Sequence, residues 1–258
     1  MKRSIAIAMS LILFLGSAIT AFGEADAKSW YCVRNKDHRQ PIVGPDLSFA
    51  ESYGAYYIDH GHGDNDSEKV IYLTFDAGYE NGNVEKILDV MREKQVTGAF
   101  FVLENLIVKN TDLVVRMAEE GHLVCNHTAK HPDVTKLQSY EEFKSELISL
   151  EDVYRECTGR EMSKYFRPPE GRFDTKSLEY ARDMGYKTVF WSFAYEDWDN
   201  GKQMSKEAAK KKILDNVHNG AVVLLHPTSA TNAAVLGEVI DELKGQGYSF
   251  GTLDELTK

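Results

Sequence analysis

Cysteine is scarce in this chain, whose 258 residues include three: Cys32, Cys125 and Cys157. Three thiols cannot all pair within one chain, and their spacing contains no CxxC pair. The sequence therefore excludes a disulfide framework and a zinc site of the CxxC type. We interpret the cysteines as mostly buried thiols, two of which could form a single bridge.

Basic residues are fewer than acidic ones, with 30 Lys and Arg against 40 Asp and Glu, and the formal net charge is −10. Nucleic-acid binding needs clustered cations, so this balance argues against a nucleic-acid partner. Internal repeats and low-complexity tracts are also lacking. About 235 residues follow the N-terminal segment, which is enough for one well-buried domain or one barrel.

A long apolar run occurs at the N-terminus. Lys2 and Arg3 precede apolar residues over 5–15 and then small residues, which is the pattern of a secretory signal. We predict a signal peptide over residues 1–27. The alternative is an uncleaved membrane anchor, because residues 5–22 approach the roughly 17–25 residues that a span needs. Both readings place the rest of the chain outside the cytoplasm, on the extracellular or cell-wall side.

Residues 28–69 form an irregular segment rich in Tyr and Gly, and residues 70–258 alternate short apolar strands with amphipathic helices. The predicted strands cover residues 70–75, 98–103, 123–126, 165–167, 187–192, 221–226 and 248–252. Strands that alternate with helices pair in parallel through right-handed crossovers. The two candidate architectures are an open doubly wound sheet and a closed barrel.

Reactive side chains fall at the C-terminal ends of five predicted strands: Asp76, His127, Arg167, Asp197 and His226. Such residues can converge only if the strand ends form a common rim, which a barrel provides. The sequence therefore predicts an α/β fold, a distorted (β/α) barrel of about seven parallel strands with its active site at the C-terminal rim.

His127 and His131 are four residues apart, and Pro132 follows them. One helical turn would place both imidazoles on one face, where they could bind a single divalent cation. A pair of histidines alone is weak evidence for a metal site. The histidines of a nearby loop, His60 and His62, could form a second metal site, but a solvated loop is the simpler interpretation.

Asp76 and Arg167 are the first candidate pair for the chemistry. A carboxylate directly after an apolar strand is unfavourable to bury without a partner, although Asp76 could also cap the next helix. Arg167 precedes two prolines that fix the chain, so it could orient a carboxylate bidentately. Alone, Arg167 would be interpreted as a solvated loop residue.

His226 follows a fully apolar strand, and Asp197 follows another strand end. A carboxylate partner raises the pKa of an imidazole towards working pH, so His226 with Asp197 could act as a general acid. Trp198, beside Asp197, supplies an amphipathic aromatic face at the same rim.

Five segments carry a resemblance to a known family. Residues 74–78 (TFDAG), 127–131 (HTAKH), 167–171 (RPPEG), 197–198 (DW) and 224–226 (LLH) occur in order. They resemble the five motifs of the NodB-type polysaccharide deacetylases, carbohydrate esterase family four, over roughly residues 70–256. Residues 79–82 (YENG) resemble one branch, the delta-lactam-biosynthetic de-N-acetylases of spore-cortex peptidoglycan.

The resemblance implies one divalent metal ion (zinc, cobalt or manganese), held by His127 and His131. Asp76 would be the base that activates water, Arg167 would orient Asp76, and His226, held by Asp197, would protonate the departing amine. It implies hydrolytic N-deacetylation of peptidoglycan glycan strands, with N-acetylmuramic acid favoured as a step to muramic delta-lactam. A forespore envelope would be one location.

We expect Trp198, Leu224 and Arg172 to bind the substrate, with Arg172 facing the lactyl carboxylate of muramic acid. The alternative functions are deacetylation of N-acetylglucosamine, chitin-type or xylan chains, and a non-catalytic wall-binding role.

One position departs from the family pattern. The first motif usually carries a second aspartate as a metal ligand, and this chain has Ala77 there. Asp76 itself, water or substrate could fill the coordination position, and Glu80 is a weaker substitute.

Overall fold

The computed structural model describes residues 27–258. The predicted signal peptide therefore lies outside the described residues, apart from its last position. None of the helices within the described range has the length and apolar character needed to cross a membrane.

The described chain contains twelve strands and eight α-helices. The strands are β1 (Lys28–Ser29), β2 (Cys32–Val33), β3 (Ile42–Val43), β4 (Ala55–Tyr56), β5 (Lys69–Ala77), β6 (Ala99–Val102), β7 (Leu123–Asn126), β8 (Ser163–Phe166), β9 (Arg172–Phe173), β10 (Lys187–Val189), β11 (Ala221–Leu225) and β12 (Tyr248–Phe250). The helices are α1 (Val84–Glu93), α2 (Glu104–Lys109), α3 (Thr111–Glu119), α4 (Tyr140–Thr158), α5 (Thr175–Asp183), α6 (Lys206–Asn216), α7 (Ala230–Gly245) and α8 (Leu253–Leu256). Short 3₁₀ turns cover Ser48–Tyr53, Val134–Lys136 and Pro169–Gly171.

Eight strands form one parallel sheet in the order β11-β5-β6-β7-β8-β10-β4, with β12 also paired to β5. All seven strands predicted from the sequence are present in this sheet, and β4 is the eighth. The sheet curls into a distorted (β/α) barrel, which confirms the predicted fold class. The carboxyl ends of the strands share one rim.

The two ends of the sheet meet through the chain that follows β10. Ser192 donates a backbone hydrogen bond to Val222 at 2.9 Å, and Leu224 donates one to Phe193 at 2.9 Å. Phe193 and Val223 form a single parallel bridge. The closure is therefore a narrow contact instead of a full strand pair, which is why the barrel is distorted.

The residues of β5 and β11 are buried almost throughout. Every residue of β11 is buried, as are most of β5, as expected of parallel strands covered on both sides. On the outer side, α1 buries Val84, Ile87, Leu88 and Met91. This is the spacing by which one helical face packs on a sheet.

The N-terminal segment 28–69 packs into the same body. β1 pairs with β9, and β4 extends the main sheet beside β10. Trp30 is buried and stacks on Phe190 with ring centroids 4.2 Å apart. Segment 28–69 thus adds a strand to the main sheet and forms an apolar cluster with Phe173, Leu178 and Phe190. The domain boundary at residue 70 stays a prediction.

The three cysteines are free thiols. Cys125 is fully buried inside the barrel, and this burial raises the pKa of its thiol. The single bridge that the sequence left open does not form.

Candidate active site

Asp76 and Arg167 meet at the barrel rim. Arg167 is fully buried, and its Nη1 donates a hydrogen bond to Asp76 Oδ1 at 2.8 Å. Its Nη2 donates to Thr74 Oγ1 at 2.9 Å and to the Phe190 carbonyl, and its Nε donates to the Val189 carbonyl. The expectation of a bidentate grip on the carboxylate is wrong, because Thr74 and the backbone take the second edge of the guanidinium.

The loop after β7 brings His127 and His131 together, with ring centroids 5.0 Å apart. The loop is not the helical turn that we expected. Thr128 and His131 adopt the left-handed conformation, with φ of 68° and 60°. The Thr128 amide donates to Asn126 Oδ1 at 2.9 Å, and the His131 amide donates to Thr128 Oγ1 at 3.0 Å. These side-chain bonds hold a backbone conformation that non-glycine residues rarely adopt.

His127 is oriented by the carbonyl of Arg167. His127 Nδ1 lies 2.8 Å from that oxygen and so carries the proton that it donates. Nε2 is then the unprotonated nitrogen, 3.5 Å from Asp76 Oδ2. Burial lowers the pKa of His127 to about 4, so the ring is neutral at physiological pH.

Asp197 binds His226 at two points. Its Oδ1 accepts a hydrogen bond from His226 Nδ1 at 2.7 Å, and its Oδ2 accepts one from the His226 amide at 2.8 Å. Asn232 on α7 donates to the same Oδ2 at 2.5 Å and to the His226 carbonyl at 3.1 Å. His226 is thereby fixed in one orientation with Nε2 free.

The electrostatics separate the two proton-transfer candidates. Burial alone would raise the pKa of Asp76, but Arg167, then His127 and His226, hold it below its usual range. Burial alone would lower the pKa of His226, but the hydrogen bond and charge of Asp197, with Asp76 at longer range, raise it. The surroundings therefore favour the ionised form of Asp76 and the protonated form of His226.

A cavity of about 1210 Å³ contains these groups. Asp76, His127, His131 and His226 all line it, as do Leu224 and Trp198. Trp198 is 60% exposed, so the face of its indole is available to a ligand. Tyr31 and Tyr79 line the cavity and are also exposed. Exposed aromatic faces along an open groove suit the apolar faces of sugar rings.

Arg172 is not among the residues that line the cavity. Its Nε donates to Asp133 Oδ2 at 2.8 Å, and one Nη is 3.3 Å from Ser29 Oγ. The expectation that Arg172 binds the substrate finds no support in this placement, because its guanidinium is already engaged by a carboxylate.

Two further candidates from the sequence have other partners. Glu80 accepts hydrogen bonds from the amides of Gly82 and Glu85 at the start of α1, so it acts as a helix cap. His60 and His62 contact different carboxylates, Glu51 and Asp59. The second metal site therefore gains no support.

Several site residues carry no sequence signal of their own. Asn232 is a buried helix residue whose spacing matches no motif, and Thr74 looks like one more strand residue. Arg34 and Lys212 also line the cavity, but they come from the irregular N-terminal segment and from a helix with many lysines.

Two imidazoles and one carboxylate are the donors at the centre of the cavity. The neutral His127 ring, its Nδ1 held by a backbone carbonyl, is the arrangement usual for a metal ligand. Within residues 27–258 no cluster of three or more His, Cys, Asp or Glu side chains has the geometry of a complete metal site. Ala77 is fully buried in the core beneath the rim. The donor set thus fits a divalent ion that needs additional ligands from water or substrate.

Comparison with known proteins agrees with this site. The polysaccharide deacetylase family model matches residues 63–189. Peptidoglycan-N-acetylmuramic acid deacetylase PdaA of Bacillus subtilis is 38% identical over 99% of this chain and 96% of its own length. Peptidoglycan-N-acetylglucosamine deacetylase PgdA of Listeria monocytogenes is 36% identical over 74% of this chain and 39% of its own length.

Solved structures give the same result. The structure of Bacillus subtilis PdaA, a family 4 carbohydrate esterase, superposes with a TM-score of 0.83 at 39% identity, covering 90% of this chain and 97% of that one. A family 4 pseudoenzyme from Bacillus anthracis superposes with a TM-score of 0.69 at 25% identity, covering 79% and 69%.

The chain therefore belongs to the polysaccharide deacetylases of carbohydrate esterase family 4. Deacetylases of this family are metal-dependent in general.

Proposed function

We propose that this protein hydrolyses the acetamido group of N-acetylmuramic acid in peptidoglycan, releasing acetate and leaving a free amine. The observation that carries the proposal is the pairing of Asp76 with Arg167 and of His226 with Asp197 around one cavity. The relative named for N-acetylmuramic acid aligns with the whole chain, whereas the one named for N-acetylglucosamine aligns with three quarters of it. This coverage favours muramic acid over glucosamine.

The chemistry follows from the two pairs. Asp76, ionised beside Arg167, accepts a proton from the attacking water, whose oxygen bonds to the acetyl carbon. His226, protonated beside Asp197, donates a proton to the sugar nitrogen as the C–N bond breaks. A divalent ion at His127, His131 and Asp76 would acidify the water and polarise the carbonyl. We include zinc, cobalt and manganese as the candidate ions.

The product is suited to a later cyclisation. The new amine and the lactyl carboxyl group are carried on neighbouring carbons of the same sugar. Closing an amide between them, with loss of water, would give muramic delta-lactam. We propose that the protein supplies the amine for that step, as part of spore-cortex peptidoglycan formation.

We also propose that the protein acts outside the cytoplasm, at the cell wall or forespore envelope. Lys2 and Arg3 followed by the apolar run over residues 5–15 support export. Peptidoglycan lies on that side of the membrane. The membrane itself is a partner if the segment remains uncleaved.

The test is acetate release from purified peptidoglycan, with mass spectrometry of the muramidase fragments before and after treatment. We expect a mass loss of one acetyl group on muramic acid, and no loss with the Asp76→Asn variant. Asparagine keeps an oxygen that can accept the Arg167 hydrogen bond, so circular dichroism should show an intact fold. Binding to peptidoglycan without acetate release by the unmodified protein would favour a non-catalytic wall-binding role. Acetyl loss on glucosamine alone, or on chitin or xylan, would favour those alternatives.

A further inference from the structure

One wall of the substrate cavity carries two cations that the reaction does not use. Arg34 and Lys212 both line the cavity. They come from different parts of the chain, since Arg34 follows β2 and Lys212 lies on α6. The cavity lining also contains three acidic residues, Asp76, Glu170 and Glu196, and among the residues that the structure describes Arg34 and Lys212 are its only Lys or Arg side chains.

Contacts place the Arg34 guanidinium beside the turn of α6 that carries Lys212. Arg34 Nη2 donates to the Ala194 carbonyl at 2.6 Å, and its guanidinium lies 5.3 Å from the centre of the Phe193 ring. Its Nη1 is 3.5 Å from Asn216 Oδ1. Asn216 Nδ2 in turn donates to the Lys212 carbonyl at 2.8 Å. Arg34 and the turn of α6 that carries Lys212 therefore share Asn216.

This wall of the cavity adjoins the proposed general acid. Ala194 is three residues before Asp197, which holds His226. Leu224 is on β11, two residues before His226, and its amide donates to the Phe193 carbonyl. A sugar placed with its acetamido group against His226 would occupy the same cavity that Arg34 and Lys212 line.

Both cations lack an anionic partner in the part of the chain that the structure describes. The ion pairs and hydrogen bonds of residues 27–258 give Arg34 only neutral oxygens and leave the Lys212 ammonium without any. Glu196 lines the same cavity but pairs with neither cation. Unpaired cations at the wall of a substrate cavity are suited to binding an anion of the substrate.

We propose that Arg34 and Lys212 form a carboxylate subsite for the lactyl group of peptide-free muramic acid. This inference rests on the proposed function and names the residues that select its substrate. The lactyl ether is on the third carbon of the sugar, next to the carbon that carries the acetamido group. Its carboxylate thus enters the same cavity whenever the acetamido group is at the reacting centre. Glucosamine and chitin have a hydroxyl at that carbon and give the two cations no partner.

The experiment compares two forms of one substrate. Peptide-free muramic acid glycan is used with its lactyl carboxylates free and, in parallel, with them converted into primary amides. The amide keeps the shape of the group and removes its charge. The variants are Arg34→Gln, Lys212→Met and the double variant. Lys211→Met is the matched control, because Lys211 is on the same helix, is exposed, and pairs with Asp215 outside the cavity.

For the unmodified enzyme we expect kcat/KM to be roughly 10–100-fold higher on the acid than on the amide, the usual value of a charge-assisted hydrogen bond. Each single variant should reduce this ratio and the double variant should bring it close to one. Lys211→Met should keep it. Raised salt should also reduce the ratio, because a partly exposed charge pair is screened.

An unmodified enzyme with equal kcat/KM on acid and amide would overturn the subsite, as would a double variant that keeps the full ratio. The third substrate tested with these variants is a glycan that retains its stem peptides. If the variants lose activity only on that glycan, the cations bind peptide carboxylates and the lactyl assignment is wrong. If the proposed function itself is wrong, no acetate is released from either muramic substrate, which distinguishes that result from failure of the subsite.

Discussion

Asp197 accepts hydrogen bonds from both the ring and the backbone amide of His226, one on each carboxylate oxygen. The ring contact leaves Nε2 of the imidazole as the nitrogen that can exchange a proton in the cavity. The amide contact ties the carboxylate to the end of β11, so neither group can rotate without breaking the other bond. The Asp197 carboxylate thus both fixes the position of the imidazole and raises its pKa.

The first prediction concerns the pH dependence of this pair. His226 must be protonated to act as an acid, so kcat/KM falls as pH rises through its pKa. Asp197 raises that pKa above the ordinary histidine value. Asp197→Asn removes the charge, so the alkaline limb of the kcat/KM profile should move to lower pH. Asp199→Asn, two residues away in the same segment between β10 and α6, should leave the alkaline limb in place. An unmoved limb in Asp197→Asn would exclude His226 as the titrating acid.

The second prediction concerns the contribution of the His226 imidazole to turnover. His226→Ala should lower turnover by roughly 10²–10⁴, the usual contribution of general acid–base catalysis. Divalent-metal affinity, measured by calorimetry, should stay unchanged because His226 contacts Asp197 and not the His127 and His131 pair. Near-native turnover would remove His226 from the reaction, and a lost metal would make it a ligand.

The third prediction concerns the buried Arg167–Asp76 pair. Arg167→Met leaves Asp76 without its cation, and breaking a buried pair in this way typically costs about 3–5 kcal/mol of unfolding free energy. The loss should be smaller in an Asp76→Asn background, because no charge is then left unpaired. Urea unfolding of the four proteins, with chelator present, gives the coupling between the two positions. Equal losses in both backgrounds would mean that Arg167 acts only through Thr74 and the backbone carbonyls.

The pH dependence of that loss has a defined sign. The pKa of Asp76 is depressed in the folded protein. The pair therefore adds stability above the ordinary Asp pKa, and this stability disappears as pH falls through the folded value. The difference in unfolding free energy between the unmodified protein and Arg167→Met should be largest near neutral pH and shrink in acid.

The regular part of the fold could be predicted because its signals are local. β5 and β11 are unbroken apolar runs, and α1 shows its buried face in the spacing of Val84, Ile87, Leu88 and Met91. Asp76, Arg167 and His226 stand out because each polar side chain interrupts an apolar strand at its end. The position at which a strand becomes polar was thus enough to locate the rim.

The remaining features depend on contacts between distant parts of the chain. β4 has two residues, too few to show any periodicity, and the closure at Ser192 and Phe193 uses isolated backbone bonds. The left-handed conformations of Thr128 and His131 depend on hydrogen bonds to side chains nearby, which a helical spacing rule does not anticipate. Arg172 looked suitable by position, but Asp133, from a different loop, engages it. Asn232, Arg34 and Lys212 reach the site only because the barrel brings their elements there.

The last prediction concerns the divalent ion and separates the two histidine pairs of the chain. His127 and His131 face each other at the cavity with ring centroids 5.0 Å apart, and His127 is held neutral by burial. His60 contacts Glu51 and His62 contacts Asp59, and neither histidine lines the cavity. His131→Ala removes one of two imidazole ligands, so we expect zinc affinity to fall by at least roughly 10-fold, the lower end of the loss seen even for groups that only support a ligand. His60→Ala should keep the affinity of the unmodified protein, because the His60 ring is exposed and pairs with Glu51.

Calorimetric titration of zinc into the metal-free proteins measures the zinc affinity of both variants without relying on activity. Since Ala77 adds no ligand to the two imidazoles and Asp76, the site should be sensitive to the loss of either ring. Unchanged zinc affinity in His131→Ala would place the ion elsewhere, and a fall in His60→Ala would place it in the N-terminal loop.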